Sequence, residues 1–300
     1  MTPSIPLLAV SLALLGPSGP AKLPDVIEHT AAVAPVRYWT AERMAAALPI
    51  DPRPVLSLAS GPARPTAAHQ RKASTSGARW SSGGVVARTT GRVFLTMDGV
   101  DFVCSAGSVQ AANKDLVVTA GHCVKDGTGS WAENWTFVPG YDTGREPFGT
   151  YPARRMFVAG PWSRSSDDSY DVGMVAVAKQ GGKHLAEVVG AQEIGFNAPR
   201  GKAAHGFGFP ADPPYDGEKL MYCAGGTKPD PNELTYDQGL RCDLTAGASG
   251  GPWLSGFDQA TGRGTVTSVS SFKYSNDHNT MYGPYFGSAT KTLYQTAERA

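Results

Sequence analysis

The chain has 300 residues, 41% hydrophobic and 18% charged, with a formal net charge of +1 from 27 Lys and Arg against 26 Asp and Glu. That composition supplies a folded core and excludes wholesale disorder, and its near-neutral balance lacks the excess that electrostatic nucleic-acid binding exploits. Glycine (36) and proline (23) make about a fifth of the residues, against roughly 12% on average, so long-helix bundles are excluded and many short elements are expected.

The first apolar run, Ile5 to Gly16, is too short to span a bilayer, which takes about 20 residues, but it has the length of an export-signal core. Small residues follow to Ala21, and residues 1–21 are read as a signal peptide although no Lys or Arg precedes the run. No later run approaches membrane-spanning length, so a secreted chain free of the membrane after signal cleavage is expected. Residues 22–80 are rich in Ala, Pro, Arg and Ser and read as a prosegment or linker, with a cleavable pro-region that docks on the remainder, the chain's own first partner, favoured over an uncleaved flexible extension. Within it Trp39 to Leu48 can form one amphipathic helix capped by Thr40, and Arg71-Lys72 and Arg79 are basic processing sites.

From Ser81 the pattern becomes short and β-rich. Strands are expected over Arg92–Met97, Val100–Cys104, Leu116–Thr119, Val172–Val177, Ala203–Phe207 and Thr265–Val269, with turn signals such as Met97-Asp98-Gly99 between them. Only the tail from Ser288 reads as helical here, so residues 81–300 form an all-β domain. No internal repeat is present.

Four cysteines in an exported chain imply two disulfides. Three connectivities are possible; the local pairs Cys104–Cys123 and Cys223–Cys242, each 19 residues apart, are favoured and would each contribute roughly 3 kcal/mol in the chain-entropy model. No C-x-x-C or paired Cys/His spacing supports zinc, and neither a metal nor a cofactor is expected.

Hydrolysis of a peptide or ester needs an activated hydroxyl, a base, a carboxylate to orient the base, and fixed donors for the oxyanion. Thr119-Ala120-Gly121-His122-Cys123 places a histidine just after an apolar strand, and Asp171 stands at the start of another, Val172 to Val177. Gly247-Ala248-Ser249-Gly250-Gly251-Pro252 sets a serine among glycines, where the backbone can approach a substrate. Each piece alone is ordinary. Their joint occurrence in the order His, Asp, Ser is not.

These three segments resemble the signature segments of the chymotrypsin/trypsin-like serine proteases. Cys104-Ser105-Ala106-Gly107 and Tyr282-Gly283-Pro284-Tyr285 extend the likeness over about residues 92 to 290. His205-Gly206-Phe207-Gly208-Phe209-Pro210 is most similar to the bacterial branch that includes the glutamyl endopeptidases. The resemblance implies two six-stranded antiparallel β-barrels with a short C-terminal helix, and a monomer acting on polypeptides. It implies Ser249 as nucleophile, His122 as general base and acid, Asp171 as its orienting carboxylate, and the N–H groups of Gly247 and Ser249 as the oxyanion hole.

Two departures bear on activation and specificity. Ala248 stands where trypsin-like enzymes have the aspartate that pairs with a freed N-terminus, so the prosegment is expected to block or assist folding without one obligatory mature N-terminus. Proof that trimming to a unique residue is essential for activity would overturn that expectation. The strand Ser268 to Lys273 lacks the histidine with which glutamyl endopeptidases receive a carboxylate. Asp243, six residues before Ser249, has the offset of a pocket-base carboxylate for Lys or Arg, and Ser270 or Ser271 would line the pocket.

Two other classes compete. Gly247 to Gly251 fits the G-x-S-x-G elbow of α/β-hydrolases, and Asp258 or Asp277 with His278 could formally complete the order Ser, Asp, His, but the parallel βα alternation that fold needs is missing and the His122 and Asp171 segments would go unexplained. A catalytically silent, protease-like binding protein is the second, and no triad member is lost to favour it.

Overall fold

The structure, a computed structural model, describes residues 25–32, 38–50 and 77–300. The expected signal peptide, Arg71 and Lys72 lie outside the described residues. The N-terminal pieces are β1 (Val26–Thr30), α1 (Ala41–Ala46), β2 (Leu48–Pro49), β3 (Ala78–Arg79) and α2 (Gly84–Thr89). Thr40 caps α1 through its side chain, which accepts from the Arg43 N–H at 3.2 Å. The helix buries Met44 in a cluster with Phe94, Val103 and Val138, and Arg43 is ion-paired with Asp101.

The first half of the body is a closed antiparallel barrel of β4 (Thr90–Met97), β5 (Val100–Ser108), β6 (Leu116–Thr119), β7 (Glu133–Pro139) and β8 (Tyr151–Ala159), followed by α3 (Gly160–Ser165) and β9 (Gly173–Val177). Pairing runs β4-β5-β6-β9-β8-β7 and returns to β4. One edge of β8 is shared: β7 pairs with Tyr151 and Pro152, and β1 with Arg155 to Ala159.

Both faces of β6 and β9 are buried, which is why they read as unbroken apolar runs rather than alternating ones. Val117, Val175 and Val177 point into the barrel core, while Leu116, Val118, Met174 and Ala176 pack against Phe207, Leu254 and Val266 of the second half.

That half holds α4 (Leu185–Val189), β10 (Glu193–Ile194), β11 (Ala203–Gly208), β12 (Met221–Gly226), β13 (Lys228–Pro229), β14 (Gln238–Arg241), β15 (Pro252–Asp258), β16 (Arg263–Val269), β17 (Thr280–Gly283) and α5 (Ser288–Ala297). Its strands form a six-stranded sheet, β10-β16-β15-β11-β12-β3, and a three-stranded one, β13-β14-β17. No ladder joins β12 to β14 among the described residues, so this half is two sheets where a second six-stranded ring was expected. The Cys223–Cys242 disulfide, with Cα atoms 5.4 Å apart, ties them together; Cys104–Cys123 also forms, at 6.3 Å, so both expected pairs are present.

The tail helix α5 is as expected and buries Leu293 and Ala297. α2, α3 and α4 correct the reading that only the tail is helical. They have five or six residues each, too few for a 3.6-residue period to register.

Candidate active site

The β6–β9 ladder explains how two distant residues meet. Thr119 pairs with Gly173 in antiparallel register, so the chain leaves β6 where it enters β9. A turn of 3-10 helix, Gly121–Cys123, follows β6 and carries His122; Asp171 lies two residues before β9. Asp171 Oδ2 is 2.8 Å from His122 Nδ1, and Asp171 Oδ1 accepts from the His122 backbone N–H at 2.7 Å. Gly121 gives the carboxylate room, since a Cβ there would lie 2.8 Å from Asp171 Oδ1. His122 Nε2, on the far side of the ring, is buried and makes no hydrogen bond among the described residues.

Burial is the largest influence on both groups and opposes charge on each. It is outweighed. The charge and hydrogen bond of Asp171, with the charges of Asp168 and Asp126, raise the His122 pKa, while His122 and the Ser271 hydroxyl hold that of Asp171 down. Ser271 Oγ donates to Asp171 Oδ2.

The Ser249 loop is seated on the ends of β5 and β6. Ser105 N–H donates to Ser249 O at 2.8 Å, Ser105 Oγ donates to Gly247 O at 2.8 Å, and the Phe209 N–H donates to Ser105 Oγ at 2.8 Å. Ser249 O also lies 3.7 Å from Cys123 Sγ, so the disulfide and Ser105 together hold the loop beside His122. Gly250 is forced to be glycine twice over: its φ is +79°, and a Cβ would stand 2.0 Å from Thr119 Oγ1. The Ala248 N–H is spent on Thr245 O, whereas neither the Gly247 nor the Ser249 N–H makes a hydrogen bond among the described residues.

The expected pocket residues take other partners. Ser270 Oγ accepts from Trp253 Nε1 at 3.0 Å, and Ser271 Oγ is directed at Asp171. Asp243 Oδ1 accepts from the Gly77 N–H at 2.8 Å and from the Tyr215 hydroxyl at 2.9 Å. Ser105 went unmarked as a seat for the loop, although it follows Cys104 directly. Two further acids near the pair also went unmarked: Asp168, pushed up to about 6 by burial and then by the Asp171 charge, and Asp237. Asp237 is 1% exposed, neither of its oxygens has a partner among the described residues, and burial followed by the charge of Asp171 raises its pKa well above the usual range.

No family model matches the chain. Protease Anisep from Arthrobacter nicotinovorans is 39% identical, with a TM-score of 0.68 over 71% of this chain and 96% of that one. The thermostable serine protease AL20 from an extremophilic microorganism is 36% identical, with a TM-score of 0.68 over 72% and 99%. A Glu endopeptidase at 18% identity and a TM-score of 0.60 shares the fold. An extracellular metalloprotease of Bacillus subtilis (strain 168) is 30% identical over 140 residues, 47% of this chain and 43% of that protein. Among the described residues the one grouping of three metal-type ligands is Cys104, His122 and Cys123, and it does not fit a metal: both sulfurs are consumed in one disulfide, and His122 Nδ1 is held by Asp171.

Proposed function

The chain belongs to the chymotrypsin-like serine proteases, and from that premise we propose that it is a secreted endopeptidase working through Ser249, His122 and Asp171. The observation that carries the reading is the two-point grip of Asp171 on His122, which leaves Nε2 as the imidazole's only free nitrogen.

Ser249 Oγ attacks the scissile carbonyl while His122 Nε2 takes its proton. Asp171 keeps the proton on Nδ1 and stabilises the imidazolium that forms. The Gly247 and Ser249 N–H groups receive the oxyanion, each worth on the order of 3 kcal/mol in the transition state. His122 then returns the proton to the departing amine, and water repeats the sequence on the acyl-enzyme. Substrates are polypeptides. Residues 25–32 and 38–50, read as part of a prosegment, pair with β8 and β5 and pack Met44 against Phe94, Val103 and Val138.

A fluorophosphonate should label the mature protein at Ser249, and Ser249→Ala should abolish both labelling and peptide hydrolysis. A folded, unlabelled and inactive wild-type protein would overturn the reading in favour of a silent binding protein.

A further inference from the structure

The segment after β16 runs beside the nucleophile. The Ser270 N–H donates to Gly251 O at 2.9 Å, the Gly250 N–H donates to Ser270 O at 2.7 Å, and Ser271 reaches Asp171. On the serine-protease reading, the side chain of the substrate residue whose carbonyl meets Ser249, the P1 residue, would enter between residues 271–274 and the segment 242–249 that leads into Ser249.

Lys273 already crosses that space. Its ammonium donates to Cys242 O at 2.8 Å and to His278 O at 2.6 Å, so it stands against the backbone of the residue preceding Asp243. Burial depresses its pKa to about 8, and the largest opposing influence is the charge of Asp243. Asp243 is thus doubly committed: its carboxylate accepts from Gly77 and Tyr215, and its charge is felt by a lysine of the same chain.

Building on the serine-protease reading, we propose that Lys273 is a built-in counter-ion in the P1 pocket, occupying the place a basic substrate side chain would take and making the pocket selective for uncharged P1 residues. The carboxylate alone would favour Lys or Arg; with an ammonium held on the carbonyl of the adjacent Cys242, a second cation meets like charge in a partly desolvated site.

The test is a P1-varied peptide series on wild type, Lys273→Met, Lys273→Arg and the double variant Lys273→Met/Asp243→Asn, read as the ratio of kcat/KM for Arg over Leu at P1. Expected are a ratio below one in wild type and in Lys273→Arg, a rise of at least about tenfold in Lys273→Met, and loss of that rise in the double variant. Should Lys273→Met fail to fold, wild type alone suffices: the ratio should climb as pH passes from 7 to above 8, where the lysine loses its proton while substrate arginine keeps its own. A wild type that prefers Arg, or a ratio unmoved by both substitution and pH in an enzyme that cleaves the Leu peptide, overturns the proposal and leaves the protease reading standing. No cleavage of any peptide with Ser249 unlabelled overturns both.

Discussion

Asp171 holds His122 at two points, through the ring at 2.8 Å and through the backbone N–H at 2.7 Å. A carboxylate that grips both fixes the imidazole's tautomer and its position relative to the strand ends. Asp171→Asn should keep the fold and lower kcat by about 10⁴, because the amide can present its NH₂ to Nδ1 and leave the proton on Nε2, where it blocks acceptance from Ser249. Full retention of kcat would remove Asp171 from the mechanism.

The pH profile carries a definite sign. His122 must be neutral to act as base, and its pKa is raised although burial, the largest single influence, opposes this. The acidic limb of kcat/KM should therefore fall above 6.5, the ordinary histidine value, and activity should be lost as pH drops through it. A limb well below 6.5 would contradict the grip described for Asp171.

Ser271 gives Asp171 a hydroxyl donor from the segment that walls the substrate approach. Ser271→Ala removes a hydrogen bond to a charged group, worth about 1.5–3 kcal/mol, so kcat should fall by roughly ten- to a hundredfold with KM little changed. Equal loss through KM instead would make Ser271 a substrate contact and not a support of the pair.

Gly250→Ala tests how the nucleophile loop is seated. The new methyl would require a φ of +79° and meet Thr119 Oγ1 at 2.0 Å and Ser105 O at 2.4 Å. Destabilisation on the order of 3 kcal/mol and loss of labelling at Ser249 are expected, measured by denaturant unfolding and by the fluorophosphonate.

Asp237 should make stability depend on pH. Its folded pKa is raised, chiefly by burial, above the unfolded value near 3.8, so the native state binds more protons than the unfolded one and stability falls as pH rises from about 4 upward. Asp237→Asn cannot ionise and should be more stable at pH 8 by on the order of 1 kcal/mol or more, with the difference vanishing near pH 4. An Asn variant that unfolds earlier at pH 8 would place a hidden partner on the carboxylate.

What could be read from residue order, and what could not, follows from range. His122 and Asp171 were legible because each adjoins a strand buried on both faces, whose apolar run marks its ends. β8 was not, since Pro152, Arg154 and Arg155 break its pattern while Arg154 spends its guanidinium on Val177 O and Ala300 O. Asp243 carried the right offset from Ser249, but its partner Gly77 is 166 residues away and nothing local to either announces the other. Lys273 reads as one polar residue in a serine-rich strand until Cys242 O, 31 residues distant, is seen beneath it. The β15–β16 ladder likewise shifts register at Trp253/Leu254 and again before Asp258, which no local pattern announces.

The divided edge of β8 would have a cost if the N-terminal residues were removed, as the prosegment reading proposes. With β1 removed, Arg155 to Ala159 would present five residues of unpaired backbone on a rigid barrel, a template onto which another molecule's strand could add. Arg155, now neutralised by Glu28 of β1, would then regain an uncompensated charge at the start of that same edge, the kind of gatekeeper that discourages edge-to-edge aggregation. The strand that covers the edge and the residue that would guard it in its absence are thus coupled through one ion pair, so maturation would uncover the hazard and its deterrent in a single step.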